Sequence, residues 1–173
     1  CHGSGAAGAP GYPNLNDDDW LWGGTAEQIH LTLKNGVRYT QNAETRDSQM
    51  PAFGVDGILK PEEITGLANY VVTLSGGQAD AGLAEAGKAL YADNCASCHG
   101  DDGKGNRELG APNLTDAIWL YGSSVQQVAQ QIAKPRQGVM PAWSHRLDDT
   151  TIKQLSVYVH SLGGGEAAEA ATQ

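Results

Sequence analysis

The feature that most constrains this chain is one short segment, Cys95-Ala96-Ser97-Cys98-His99. Two cysteines three positions apart, followed at once by a histidine, are the pattern of covalent c-type haem attachment. Each thiol can add to one vinyl group of the same haem, and the histidine is then held over the iron as its proximal ligand. A prosthetic group of that size also fills a core, which accounts for an aromatic content of only 6% with a single Phe.

The haem motif is part of an internal repeat. A Cys-His-Gly run, a Pro-Asn-Leu turn, a tryptophan seven positions after that proline and a Met-Pro-Ala run recur in the same order. In the first copy these begin at Cys1, Pro13, Trp20 and Met50, and in the second copy at Cys98, Pro112, Trp119 and Met140. The chain has only two Met residues, so each copy contains one. The first copy also carries an insertion around residues 39–48, which we predict to be a loop.

Apolar spacing and capping signals predict that each copy is a small all-α unit. The helical spacing of Leu83, Gly87, Leu90 and Tyr91 predicts a helix that runs directly into Cys95, and no stretch alternates as a strand would. The expected helix starts are two capping boxes, Thr25 with Gln28 and Ser124 with Gln127. The last helix of the first copy is expected to open at Pro61, and that of the second copy to be capped by Asp149.

The repeat sets the predicted domain boundaries. We expect a first domain over 1–76, a short flexible linker over 77–81 and a second domain over 82–163. The tail, 164–173, lacks any apolar period and is predicted to be disordered. Domains of this size seldom bury enough apolar surface to be stable unaided, and a covalent haem would stabilise each copy.

Charge narrows the possible partners. Asp and Glu number 20 against 11 Lys and Arg, a formal net charge of −9. That balance argues against nucleic acid, whose phosphates require clustered cations, and suits a basic protein partner. No run in the sequence is long and apolar enough for a membrane span or a signal peptide. Because the sequence opens inside a motif, at Cys1, we expect a fragment, in which any upstream signal or membrane anchor would not be visible.

Together these motifs resemble a known family. The C-x-x-C-H segment, the Pro-Asn-Leu turn and the downstream Met-Pro-Ala are similar to class I cytochromes c. Two such copies in tandem, with the stretch Asp19-Trp20-Leu21-Trp22-Gly23-Gly24 in the first, resemble the dihaem subunit III of cbb3-type cytochrome c oxidases, the FixP/CcoP family. The resemblance covers residues 1 to about 163. This sequence differs from the family pattern at its start, where the first copy shows one cysteine of its haem motif, Cys1, and not two.

The resemblance implies a fold and a set of haem contacts. The fold is two tandem class I cytochrome c domains, each a small helical bundle around a covalent haem c. Distal methionine ligands would complete each iron, proline carbonyls would accept the proximal histidine N–H, and tryptophans would pack against the haem. The implied residues are Cys1, Cys95 and Cys98 for attachment, His2, His99, Met50 and Met140 for iron, and Pro13, Pro112, Trp20 and Trp119 around the haems.

The resemblance also implies a place in respiration. A soluble, basic cytochrome c would donate electrons, which would pass to a monohaem subunit and then to the oxygen-reducing haem and copper site on another chain. The subunit would sit on the periplasmic side of a bacterial inner membrane, held only by an upstream anchor. This chain would contain no catalytic residue and no oxygen-reducing site, because a six-coordinate iron leaves no position for oxygen.

Other interpretations of the same residues stay open. Cys95, Cys98 and His99 could form a zinc site completed by Cys1 or His2. Both methionines could fill core gaps, which is the commoner use of Met. The remaining histidines are taken as surface residues, with only the second able to compete for iron: His30, His145 and His160. A free periplasmic dihaem electron carrier and a dihaem peroxidase remain alternative functions.

Overall fold

The computed structural model describes residues 1–168, and over that range the protein is helical. Its helices are α1 (Ala26–Asn35), α2 (Pro61–Leu74), α3 (Ala81–Asn94), α4 (Ala96–His99), α5 (Val125–Ala133) and α6 (Asp149–His160), with 3₁₀ turns at Ser4–Ala6 and Trp143–His145. Within the described range, β-structure is limited to isolated bridges, so the all-α prediction is confirmed. None of the helices described is both long and apolar enough to cross a membrane.

Local capping explains where the helices begin. The Thr25–Gln28 capping box opens α1 and the Ser124–Gln127 box opens α5, as predicted. The prediction for α6 was wrong by one residue. Asp148 is the N-cap, because its carboxylate accepts a hydrogen bond from the Thr151 amide, and Asp149 is the first helical residue.

The compact units of the protein are not the two sequence copies. Unit I combines residues 1–48 with the segment that begins at Gly138, and unit II is Gln49–Gln137. The reason lies in helix packing: α2 packs on α3 and α5 within unit II, whereas α1 packs on α6 within unit I. The predicted linker, 77–81, therefore joins two helices of one unit and separates no compact units.

Unit II is built around the crossing of α2 and α3. A Cβ at Gly87 would lie 2.2 Å from the Gly66 carbonyl oxygen, so only glycine allows the two helices to approach this closely. Beside that contact the rings of Tyr70 and Tyr91 pack at 5.3 Å, and Leu67 is fully buried. This crossing fixes the end of α3, and with it Cys95.

Unit I packs α1 against α6 and uses the chain's last described residues as well. Ile29 and Ile152 are buried. Gly164 accepts a hydrogen bond from the Trp20 indole at 2.7 Å, and Glu166 bonds both backbone groups of Gly24. The prediction of a disordered tail from residue 164 is therefore wrong for 164–166, since these hydrogen bonds hold it. Residues 169–173 lie outside the described range.

Candidate haem sites

In unit II a single helical turn presents the haem motif. Cys95 ends α3 and precedes α4, and its carbonyl accepts hydrogen bonds from the Cys98 amide at 3.1 Å and the His99 amide at 2.9 Å. The turn holds the two cysteines and the histidine as one rigid group. Neither cysteine is in a disulfide.

Both predicted proximal histidines are oriented by a proline carbonyl. His2 Nδ1 lies 2.9 Å from the Pro13 oxygen, and His99 Nδ1 lies 3.0 Å from the Pro112 oxygen. Because a carbonyl only accepts, each Nδ1 carries a proton, and in the neutral ring that leaves the lone pair on Nε2. Burial lowers the pKa of His99, against the opposing effect of its bond to Pro112. The neutral imidazole that can bind iron is therefore the favoured form.

The two thiols of the second motif differ in exposure and surroundings. Burial, followed by the nearby Cys98, raises the pKa of Cys95 to about 11. Cys95 is thus a neutral thiol held in apolar surroundings, while Cys98 is exposed. Among the described residues no cluster of His, Cys, Asp and Glu could hold a metal ion, so the alternative of a zinc site finds no ligand set.

Met50 lies in unit II, with the haem motif of the other copy. It packs against the buried cluster that includes Cys95 and Phe53, and Trp119 packs on the same cluster. The Gln137 side chain fixes the Met50 backbone at both ends: it accepts from the Met50 amide at 2.9 Å and donates to the Met50 carbonyl at 3.1 Å.

Met140 lies in unit I, with the haem motif of the first copy. Its backbone pairs with that of Val37 through two hydrogen bonds of 2.9 Å. The pairing needs Gly36 beside it, because a Cβ at that position would lie 2.4 Å from the Met140 carbonyl oxygen.

The structure therefore groups His2 with Met140 in unit I and His99 with Met50 in unit II. Assignment by sequence copy would put Met50 with His2 and Met140 with His99, whereas the compact units contain His2 with Met140 and His99 with Met50. Sequence reasoning missed the two residues that hold the methionine backbones, Val37 and Gln137. Val37 follows α1 of the first copy but holds Met140 of the second, and Gln137 follows α5 of the second copy but holds Met50 of the first. Nothing in the repeat pattern indicates this exchange between the copies.

The two predicted wall tryptophans differ in their contacts. Trp20 is pressed against Gly24, where a Cβ would lie 2.4 Å from the indole, and its N–H is bonded to Gly164. Trp119 is part-buried against the apolar core of unit II. Each lies in the same compact unit as the proximal histidine of its own copy.

The other histidines are not all surface residues. His30 lies between α1 and α6, with Nε2 3.7 Å from an Asp149 carboxylate oxygen and a buried Nδ1 that has no partner among the described residues. His160 is part-buried and its Nε2 donates to the Glu166 carbonyl. Only His145 is exposed, as predicted.

Comparison with known proteins divides the chain as the repeat does. Residues 1–75 match the cytochrome c family, and residues 82–159 match subunit III of cbb3-type cytochrome c oxidase. The chain is 61% identical to the cbb3-type oxidase subunit FixP of Bradyrhizobium sp. (strain ORS 278), 58% to FixP of Sinorhizobium medicae (strain WSM419) and 55% to CcoP of Cereibacter sphaeroides. Each alignment covers 96% of this chain and 57% of the relative. The chain thus spans a little over half the length of these relatives.

Proposed function

We propose that this chain, whose two copies match the cytochrome c family and subunit III of cbb3-type cytochrome c oxidase, conducts electrons within such an oxidase. Two cytochrome c domains imply two covalently bound haems c. When bound, haem c supplies one-electron transfer at its iron. The alternatives of a free carrier and a peroxidase are not favoured, since the relatives are oxidase subunits.

The residues that would hold the haems form two sets, each with one histidine and one methionine. His2 with Met140 would bind one iron and His99 with Met50 the other, while Cys1, Cys95 and Cys98 would form the thioether bonds. The grouping of each methionine with the histidine of the opposite copy is the observation that carries this assignment.

The surrounding residues prepare these ligands and keep them in place. Pro13 and Pro112 fix the tautomer of each histidine, which leaves Nε2 free to bind. Gln137 and Val37 hold the backbone of each methionine. If a histidine and a methionine both bind each iron, no position would remain for a substrate, and the chain would act in electron transfer and not in oxygen reduction.

A single-haem variant tests the crossed ligand sets. Replacing Cys95 and Cys98 by Ala leaves only the haem on Cys1 and His2. In that background Met140→His should keep a low-spin iron and lower its potential, because imidazole favours ferric iron more than a thioether does. Met50→His, the matched control, should leave that potential unchanged. The opposite result, a fall with Met50→His alone, would assign each methionine to its own copy.

We propose further that electrons enter from a basic soluble cytochrome c and leave towards a monohaem subunit and the oxygen-reducing subunit of the complex, on the periplasmic side of the inner membrane. A net charge of −9, with Asp17, Asp18 and Asp19 next to Trp20, supports a basic donor. Electrostatic steering acts mainly on the encounter rate and is screened once the Debye length is about 10 Å or shorter.

Stopped-flow reduction by a basic cytochrome c across a salt series tests the donor assignment. The rate should fall steeply with salt, and less steeply when Asp17, Asp18 and Asp19 are all changed to Asn. A rate that does not respond to salt would remove the case for a basic donor and leave the haem assignments untouched.

A further inference from the structure

Arg38 has a backbone conformation that its residue type seldom adopts. Its φ is +50°, in the left-handed region that favours glycine, and within residues 1–168 only Ala6 shares a positive φ among the residues that are not glycine. A residue with a Cβ adopts this conformation only with strain. Strain of this kind persists where the surrounding structure requires it. The contacts of Arg38 show what the strained turn achieves.

The Arg38 side chain is bonded to two backbone segments at once. Its Nε donates a hydrogen bond to the Gly138 carbonyl at 2.8 Å, and its Nη1 donates to the Ser48 carbonyl at 2.9 Å. Hydrogen bonds from a charged donor are stronger than those between neutral groups. A guanidinium makes two such bonds in fixed directions from one planar group, whereas lysine carries a single ammonium on a flexible stem.

The two carbonyls stand at equivalent places in the repeat. Ser48 lies two positions before Met50, and Gly138 lies two positions before Met140. Both methionines are predicted distal ligands, and each is followed by Pro-Ala. One side chain, that of Arg38, is therefore bonded to the start of both methionine segments, although these come from different copies of the repeat.

Arg38 also joins the two parts of unit I. The first part of that unit ends at Ser48 and the second part begins at Gly138, so the guanidinium holds the residues where the chain leaves and re-enters the unit. The two residues that hold the methionine backbones lie beside these contacts in the sequence: Val37 directly precedes Arg38, and Gln137 directly precedes Gly138. Displacing the Arg38 side chain would therefore disturb both.

We propose that Arg38 is a positioning residue shared by both distal methionines, and that its two hydrogen bonds set the approach of Met50 and Met140 to their irons together. This inference rests on the proposed function, because the methionines act as ligands only when the haems are bound. Groups that hold a ligand in place from outside the coordination sphere alter how firmly it binds the metal. Loss of the Arg38 guanidinium would therefore loosen both ligands, whereas loss of the Gln137 amide would loosen only Met50.

Cyanide binding to the ferric two-haem protein tests the proposal. Cyanide binds a six-coordinate iron only after the methionine has left it, so the rate of binding reports how often each methionine dissociates. The single-haem variant described above identifies the kinetic phase of the His2 haem. Arg38→Gln should accelerate the phases of both haems several-fold, whereas Gln137→Ala should accelerate only that of the His99 haem.

Three further variants separate positioning from charge and from folding. Lys153→Gln, the matched control, removes a cation of unit I that pairs with Asp149, and it should change neither phase. Arg38→Lys keeps the positive charge but loses the planar fork, so it should behave like Arg38→Gln. Arg38→Asn removes the guanidinium but suits the left-handed backbone, which Asn adopts more readily than most residues. It should fold with both haems bound and still accelerate both phases.

Haem content and the thermal midpoint are measured on the same samples. A merely structural Arg38 would lower the thermal midpoint when replaced and leave both cyanide rates unchanged. Acceleration of one phase only, or of neither, in an Arg38→Asn protein with both haems bound would overturn the shared positioning role. Rates restored by Arg38→Lys would assign the effect to charge and overturn that role as well. Failure of the unmutated protein to bind two haems would instead overturn the proposed function.

Discussion

At the scale of single residues, the methionine segments depend on small and easily overlooked contacts. Gly36 has φ +73°, a left-handed conformation that alanine adopts only with strain, and it also lies against the Met140 backbone. Gln137 is an ordinary polar residue in the sequence, yet its amide makes both backbone hydrogen bonds of Met50. These contacts exist only after residues far apart in the chain have met.

Gly36→Ala should destabilise unit I and weaken the Met140–iron bond. The backbone conformation alone costs roughly 1–2 kcal/mol for alanine, and the new Cβ would displace the Met140 carbonyl as well. Gly76→Ala is the matched control, since Gly76 has the same φ of +73° and nothing within 4 Å of its Cβ position. Thermal unfolding should show a loss in both variants, and the ferric iron–methionine absorption band should weaken only in Gly36→Ala. Equal loss of that band in both would mean that the close approach is unimportant.

Gln137→Ala should loosen Met50 and increase the high-spin fraction of the His99 haem. Each lost hydrogen bond is worth about 1 kcal/mol net, enough to shift a weak ligand bond several-fold. Electron paramagnetic resonance of the ferric protein measures the high-spin fraction. Gln126→Ala changes an exposed glutamine of the same helix region and should leave the spectrum as it is. A Gln137→Ala spectrum identical to that of the control would exclude the anchoring role.

At the scale of helices, the sequence predicted most starts and ends because the signals are local. Thr25 and Ser124 need only a partner three residues on, and such pairs are readable without any tertiary contact. At α6 either of two adjacent aspartates, Asp148 or Asp149, could have been the N-cap by sequence. Asp148 is the cap because its carboxylate accepts hydrogen bonds from the Thr151 amide and hydroxyl. This choice matters because α6 is the helix that completes unit I.

The Asp148 cap should make the stability of α6 depend on pH. The backbone amide of Thr151, followed by its hydroxyl, lowers the pKa of the Asp148 carboxyl. A depressed folded-state pKa gives stability that is present above the unfolded pKa and lost as pH falls through the folded pKa. Asp148→Ala should therefore lower the thermal midpoint of the haem-loaded protein at neutral pH, and the difference from the unmutated protein should narrow in acid.

Asp56→Asn provides the control for the cap, because Asp56 is exposed and its side chain caps no described helix. Its thermal midpoint should follow that of the unmutated protein at every pH. A constant difference between Asp148→Ala and the unmutated protein over the whole acid range would contradict a contribution from the ionised cap.

At the scale of the whole molecule, the sequence predicted the two copies and the family but not the compact units. The repeat, the haem motif and both Met-Pro-Ala runs are visible in the sequence. The exchange is not, because α2 and α6 carry nearly the same apolar stripe, and either could pack beside either haem motif by pattern alone. Which helix packs where is decided by tertiary contacts such as the close backbone approach of Gly66 and Gly87.

Fragments of the chain distinguish the compact units from the sequence copies. Residues 49–137 form unit II as one continuous piece, with Met50 ahead of its haem motif. Expressed alone, this fragment should bind one haem with methionine ligation. The fragment 78–173, a conventional second domain, lacks Met50 and should leave its iron without that ligand.

Met50→Leu in the fragment 49–137 is the control and should abolish methionine ligation. Absorption and magnetic resonance spectra of the ferric fragments report the ligand directly. Methionine ligation in 78–173, with none in 49–137, would mean that the exchange between copies does not occur in solution.

The exchange also sets an order of folding. Unit I contains residues 1–48 and is completed only by α6 and the hydrogen-bonded segment from Gly164 to Glu166. All of unit II therefore lies in the sequence between the two parts of unit I. Contacts between residues so far apart form slowly, because the loop between them must close first. Unit II, a continuous piece of the chain, can therefore become compact before unit I, which needs its last helix. The haem motif that comes first in the sequence is thus the last to be enclosed.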